Sequence, residues 1–405
     1  LLYNMKVQEI NQILDEAKAN PEVLATDRYI EAQLQRLGLL SISQQMGPNC
    51  NLSCPHCYKN FGRNRKGFPK LKTVQKTLEE AVESEFLQIS LTDGEPIRHE
   101  NKKLMKLFAE YSSKLPVAIM TNAVFAYSEK NTLNWMNFLK DNGLELKNNP
   151  SLFNISTGPT YKVHWHNYAR FNWALKQVFP DADFGKILMY QYLGYGNLEG
   201  EKDNISLISR CISYYFNEKR KAIEIDENNN KYIPTGKTPI LLGYRLCEPE
   251  GRAKQMKKHF DLLPSRKLRE FTVETTTFSV KEWEFLVIDW RGNVGFGVSL
   301  RCGGIGRVYG NVNSEHLFKI WKKIDNDEIY QANKLGGARF LYHLAQEINP
   351  DFVVTGRINC DVCKEISSSY ELVNNIRQKL KREGIIKEYK EYIDQRGIPT
   401  LESIN

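Results

Sequence analysis

The sequence lacks any stretch suited to crossing a membrane, since no apolar run in its 405 residues approaches the roughly 18 to 20 that a spanning helix needs. Nothing at its N-terminus resembles a signal peptide. That argues against a secreted disulfide framework and sets the expectation of a soluble, cytoplasmic protein whose thiols stay reduced. Long blocks of like charge are missing too: no run of five or more basic residues occurs. Segments such as Lys257-Lys258-His259 and Lys379-Leu380-Lys381-Arg382 read as solvated helix faces, so direct nucleic-acid binding is not expected. The net charge of +8 suits an acidic partner without choosing among peptide, nucleotide and nucleic acid.

What the chain does have is cysteine in a pattern. Of its eight cysteines, three fall in the stretch Gly47-Pro48-Asn49-Cys50-Asn51-Leu52-Ser53-Cys54-Pro55-His56-Cys57-Tyr58, spaced Cys-x3-Cys-x2-Cys. Thiolates are soft donors that select zinc, cuprous copper or iron-sulfur clusters, and short loops let the backbone wrap one small ion or cubane. Zinc is a rival, because Cys-x2-Cys is half of a zinc knuckle and His56 sits inside the triplet as a possible fourth ligand. A structural zinc site wants four closed ligands, usually as two separated pairs. Three local thiols suit a four-iron cluster whose fourth iron stays open. The other five cysteines are Cys211, Cys247, Cys302, Cys360 and Cys363; such a surplus in a reduced compartment asks for a second metal site.

The length exceeds the usual single domain, so one large α/β domain with a smaller appended one is the default. Residues 7–37 carry apolar positions at helical spacing and predict two short amphipathic helices. Strands are then predicted at 39–43, 86–91, 117–122, 152–156, 187–193 and 238–247, with helices at 73–85, 101–114, 128–142, 168–178 and 205–219. This alternation predicts an α/β fold, an open, parallel (β/α)6 partial TIM-like barrel, with a doubly wound sheet as the alternative. In such barrels the working residues sit at the C-terminal ends of strands. That rule picks 92–96, Thr121-Asn122, Ser156 and Tyr190-Gln191-Tyr192. The aromatic stretch 161–165, with His166 and Tyr168, either lines a substrate pocket or packs on the barrel exterior. Beyond Cys247 a β-hairpin is predicted at 284–289 with a turn at 290–293. Cys302, Tyr309-Gly310-Asn311-Val312, a helix at 315–323 capped by Ser314, and a charged helical tail from 367 to 397 follow.

From residues 39 to 370 the chain resembles the radical S-adenosylmethionine enzymes, whose defining feature is the Cys50, Cys54, Cys57 spacing with an aromatic, here Tyr58, after the third cysteine. The resemblance implies a cluster (4Fe-4S) whose open iron chelates S-adenosylmethionine, whose reductive cleavage gives a 5′-deoxyadenosyl radical that abstracts a substrate hydrogen. It implies cofactor-binding roles for Tyr58, Asp93, Gly94, Glu95, Asn122, Ser156 and Arg170. Asp93-Gly94-Glu95-Pro96 stands where the family has Gly-Gly-Glu-Pro, with Asp93 in place of the first glycine. The hairpin, Cys302, Gly-Asn-Val and late Cys-x2-Cys resemble the family's twitch or SPASM extension. That implies one auxiliary 4Fe-4S cluster on Cys302, Cys360 and Cys363 with Cys247 as the fourth ligand; the thiols are too few for two. Cys211 is either a buried thiol or a hydrogen donor to a substrate radical. The implied organisation is a helical segment 1–38, the barrel 39–250, the auxiliary domain 251–370 and a helical tail 371–405.

The resemblance further implies a substrate that is a ribosomally made precursor peptide, modified by cross-linking, epimerisation or backbone excision. The implied partners are a separate small leader-peptide-binding protein, since the N-terminal segment is too short to be such a domain, and a low-potential electron donor of flavodoxin or ferredoxin type. Radical oxidation or rearrangement of a small molecule, such as an aminoglycoside sugar, is the other enzymatic reading. A non-catalytic iron-sulfur or zinc scaffold is the reading outside enzymes.

Overall fold

The structure, a computed structural model, describes residues 26–35, 41–57, 59–146, 152–158, 161, 163–194, 224–225, 231–233, 240–246, 267–268, 285–296, 308–355 and 359–396, with isolated positions before 26. Tyr58, Cys211, Cys247, Cys302 and the helix expected at 205–219 lie outside the described residues. In chain order the elements used below are α1 (Asp27–Gln35), β1 (Ser41–Gln45), α2 (Leu71–Glu83), β2 (Gln88–Thr92), α3 (Lys102–Tyr111), β3 (Val117–Thr121), α4 (Glu129–Asp141), β4 (Phe153–Thr157), α5 (Trp165–Val178) and β5 (Leu188–Gly194). There follow β6 (Glu224–Ile225), β7 (Lys231–Ile233), β8 (Ile240–Leu246), β9 (Phe285–Ile288), β10 (Asn293–Phe296), β11 (Gly310–Asn311), α6 (Leu317–Asp325), α7 (Glu328–Ile348), α8 (Asn359–Ser368), α9 (Tyr370–Glu383) and α10 (Ile385–Arg396). They fall into two units, Ile42–Pro264 with Asp289–Gly292, and Leu1–Ser41 with Ser265–Ile288 and Asn293–Asn405.

Among the described residues the first unit holds eight strands in the order β1-β2-β3-β4-β5-β8-β7-β6. From β2 to β8 neighbouring strands are parallel, for example Ile89↔Val117, Ile119↔Phe153, Ile155↔Tyr190 and Tyr190↔Leu242. Each strand from β1 to β5 lies beside its predecessor in sequence. That order is the one a partial barrel requires, because right-handed crossovers in an unbroken series put every helix on one side. A doubly wound sheet would reverse direction at a switch point. Consecutive helices α2, α3, α4 and α5 accordingly pack in series.

The local reasons are plain in the sequence. Ser128 caps α4, its hydroxyl accepting from Asn131 N–H, and the helix buries Thr132, Trp135, Met136 and Leu139 at spacings of three and four. In β3 and β4 four of five residues are buried, as strands covered on both faces demand. The helix α5 starts three residues before its predicted start, because His164 serves as N-cap and its Nδ1 accepts from His166 N–H. Two short antiparallel strands, β6 and β7, add to β8 where a helix-to-strand connection is predicted.

In the second unit the predicted hairpin forms, β9 against β10, with Leu286↔Phe296 and Ile288↔Val294 in register, and β11 extends it. The predicted cap at Ser314 is replaced: α6 begins at Leu317 behind His316, whose Nδ1 accepts from Phe318 N–H, while Ser314 Oγ donates to Asn311 O. The long helix α7 has no counterpart in the sequence reading. It bends at Gly337 (φ +61) and packs against α1, α8, α9 and α10 around Ile329, Phe340, Leu341, Tyr342, Val362, Ile376 and Tyr389. The charged tail is two helices, parted by Gly384 (φ +87). Among the described residues no helix is long and apolar enough to cross a membrane.

Candidate active site

The cysteine loop follows β1 and closes on itself. Gly62 N–H donates to Pro48 O at 3.1 Å and Cys50 N–H to Gly62 O at 3.3 Å, while Arg63 Nε reaches Asn51 O at 2.6 Å. A tight turn links the other two thiols, with Cys57 N–H on Cys54 O at 3.2 Å. All three cysteines are half-buried. Phe61 N–H donates to Cys57 Sγ at 3.3 Å, the kind of bond that cluster sulfurs accept. Burial pushes the Cys50 thiol up to about 11, against help from the Leu52 backbone, so a thiolate there calls for a bound cation to compensate it.

Four ties hold this loop to the ends of β2 and β3. Arg98 Nη1 donates to Asn49 Oδ1 at 2.6 Å, and Asn122 Nδ2 to Asn51 Oδ1 at 2.8 Å. Lys59 Nζ lies 3.4 Å from Asp93 Oδ2. The fourth tie is a close approach of backbone: a Cβ on Gly94 (φ +94) would stand 2.5 Å from Gly47 O. Only glycine fits there.

Asp93 has φ +56, which explains both the family's glycine and this departure from it. Asp is among the few residues that tolerate the left-handed region, and its carboxylate faces a lysine of the cysteine loop, a contact glycine cannot make.

Glu95 is 1% exposed, and its oxygens are claimed by donors from its own loop and from the end of β3. Oε1 accepts from Thr121 Oγ1 at 2.6 Å and Ile97 N–H at 3.1 Å, and Oε2 accepts from Asn122 N–H at 2.8 Å. Burial nevertheless outweighs these bonds and lifts its carboxyl to about 7. The group therefore changes charge near neutrality, and a cation brought against this loop would favour the ionised form.

Beyond the end of β4 stands Tyr161, whose hydroxyl burial and, to a lesser degree, the nearby Cys54 and Cys57 thiols push upward in pKa, against help from the nearby Ser156 side chain. The Tyr161 ring meets His56 edge to face, centroids 4.5 Å apart. Tyr161 therefore does not pack on the barrel exterior, and His56 is part of this contact. Tyr168, on α5, is 3% exposed, and its hydroxyl donates to Ser156 O at 3.4 Å. Arg170 Nη1 donates to Ala126 O at 3.1 Å and Tyr127 O at 2.8 Å, which fixes the connection after β3.

Tyr190 is not at a strand end. It sits within β5, fully buried, its hydroxyl donating to Asn172 Oδ1 at 2.8 Å, and it serves the core. Of the later cysteines, Cys360 and Cys363 fall on α8, three residues apart and so on neighbouring positions of one helix face. Cys363 packs on the helical core of its unit.

Among the described residues no three His, Cys, Asp or Glu side chains converge as a single metal ion would require. A four-iron cluster, with each thiolate on its own corner, does not need that convergence. The donor set of three thiols and an N–H···S bond beside a buried carboxyl fits such a cluster better than it fits zinc.

No protein-family model matches the chain, and no curated protein matches it. Solved structures do. BtrN in complex with AdoMet and 2-DOIA is 15% identical over 74% of this chain and 88% of its own, at TM-score 0.37. Streptococcus suis SuiB bound to precursor peptide SuiA is 13% identical over 77% and 71%, at TM-score 0.39. The protein anSMEcpe with bound AdoMet and Kp18Cys peptide is 14% identical over 88% and 97%, at TM-score 0.40. BtrN and anSMEcpe were solved with AdoMet bound. Likeness this distant carries no argument about substrate or reaction.

Proposed function

We propose that the chain is a radical S-adenosylmethionine enzyme, with Cys50, Cys54 and Cys57 holding a 4Fe-4S cluster. The observation that carries this is the joining of the cysteine triplet to the ends of β2 and β3 through Gly94, Asp93, Asn122 and the buried Glu95. When bound, the cluster and S-adenosylmethionine supply hydrogen-atom abstraction from a substrate C–H bond.

This chain's own residues position and neutralise. Glu95 orders the loop Asp93-Gly94-Glu95 and supplies negative charge for the methionyl ammonium. Asn122 keeps that loop in register with Asn51. Ser156 and Arg170, at β4 and α5, complete the cofactor face, and Tyr58, which follows Cys57 in the sequence, is assigned to it as well. Cys247, Cys302, Cys360 and Cys363 are proposed to hold one auxiliary cluster, supported by the shared helix face of the last two, and Cys211 remains a candidate hydrogen donor. The substrate is proposed to be a precursor peptide delivered by a separate leader-binding protein, with a low-potential flavodoxin or ferredoxin as electron donor in the cytoplasm; the charge of +8 supports acidic partners.

The test is anaerobic reconstitution followed by iron analysis and assay for 5′-deoxyadenosine under a low-potential reductant. Two clusters give about eight iron. Replacing Cys50, Cys54 and Cys57 by Ala together should halve the iron and abolish cleavage, whereas Cys360→Ala with Cys363→Ala should halve the iron and spare cleavage. Full iron in the triple variant would sink the central reading. A mass shift in a co-expressed peptide would separate peptide from small-molecule chemistry.

A further inference from the structure

Tyr161 stands in the connection between β4 and α5, and two contacts fix it. Its N–H donates to Gly158 O at 3.3 Å, closing the turn after the strand. Its hydroxyl lies near the Ser156 side chain. Its ring meets His56 edge to face at 4.5 Å and 67°, a geometry in which the positive edge of one ring meets the face of the other. His56 is itself 7% exposed and stands directly before Cys57.

The cysteine loop has two sides. The Cys50 side is held by Arg98 on Asn49, by Asn122 on Asn51 and by the approach of Gly94 to Gly47. Past Cys57 the tie is Lys59 with Asp93. The turn from Cys54 to Cys57 lies between these anchors. It meets the segment that follows β4 through His56 and Tyr161, whose N–H is held by Gly158 O.

We propose that Tyr161 is a positioning residue that clamps the Cys54–Cys57 turn to the C-terminal end of β4 through its contact with His56. It acts through His56 and touches no reacting atom. The inference rests on the proposed cluster at Cys50, Cys54 and Cys57. Groups that orient metal ligands typically change metal retention by about 10- to 100-fold when removed.

Three variants of the full chain, reconstituted anaerobically, separate the possibilities by the rate at which a chelator removes iron. Tyr161→Leu, which removes the ring, should release the iron held by the triplet about tenfold faster than wild type. Tyr161→Phe keeps the ring on His56 and should restore slow release. Tyr168→Leu removes a buried neighbour without removing the ring on His56, so it should lower the melting temperature of the apo protein and leave iron release unchanged. Wild-type release in Tyr161→Leu, or equal acceleration in Tyr161→Leu and Tyr168→Leu, would overturn the clamp. Failure of the functional reading looks different: wild type would then hold no iron-sulfur cluster on the three cysteines at all.

Discussion

Glu95 and Asn122 are bound through one carboxylate oxygen and one backbone N–H, 2.8 Å apart, and Asn122 passes the connection on through its side-chain amide to Asn51, next to Cys50. The end of β2, the end of β3 and the first thiol are thus held by a single asparagine. A rigid loop of this kind holds its geometry before any ligand arrives, and so spends less of the binding free energy on ordering.

The raised carboxyl of Glu95 has a consequence for pH. Its folded-state value of about 7 lies above the ordinary 4.5, so the folded chain holds this proton more tightly than the unfolded one. The stabilisation is fully present below about pH 4.5 and is lost as pH rises through about 7, a difference on the order of 3 kcal/mol. Glu95→Gln should flatten that part of the stability curve, at a pH-independent cost of about 1–3 kcal/mol for a misplaced donor. Urea unfolding of the apo protein at pH 5 and pH 8 reads both effects. An unchanged slope in the variant would show that another group titrates.

Gly94→Ala places a methyl 2.5 Å from Gly47 O at φ +94. The loop must shift, at a cost of about 1–3 kcal/mol, and the cysteine loop must shift with it. Iron retention should fall together with stability. The comparison variant is Gly337→Ala, where φ is +61 and nothing lies within 4 Å; it should destabilise α7 and leave iron binding unaltered.

At Asp93 the order of two small substitutions is informative. With φ +56, Asp93→Ala keeps a Cβ in the left-handed region without Asp's local hydrogen bonding, so it should be about 1 kcal/mol less stable than Asp93→Gly. Both lose the ion pair with Lys59. Equal unfolding midpoints for the two variants would retire the backbone explanation of this position.

In the helical unit Lys379 Nζ lies 3.0 Å from Glu388 Oε1 and 3.5 Å from Glu347 Oε2, and the Glu388 side chain is 2% exposed. Lys379→Met would leave that carboxylate buried and uncompensated, at a cost of about 3 kcal/mol. Burial already raises the Glu388 carboxyl, so the loss should ease as pH falls and the group protonates. Melting at pH 5 and pH 8 would show a larger deficit at the higher pH, and a deficit independent of pH would count against the pair.

Periodicity and capping made most of the barrel legible, because Ser128 and the apolar spacing of α4, or the apolar run Val117-Ala118-Ile119-Met120 of β3, report their environment locally. Legibility failed where the deciding group is unusual or distant. His164 and His316 cap helices although imidazole is a weak cap signal, which hid the true starts of α5 and α6. Gly336-Gly337 interrupts the pattern of α7, whose continuity comes from packing. Tyr190 looked like a strand end until the register of β5 placed it mid-strand, opposite Leu242.

By itself the sequence determined the donor chemistry of the site and the alternating strands and helices that carry it, since thiol spacing and side-chain period are properties of neighbouring residues. Only the tertiary structure decided that Asp93 occupies a left-handed position facing Lys59, that Glu95 is buried enough to titrate near neutrality, and that Tyr161 leans on His56. Each of these depends on backbone conformation, dielectric surroundings or contact between segments far apart in the chain, and none of those quantities is encoded by any single stretch of residues.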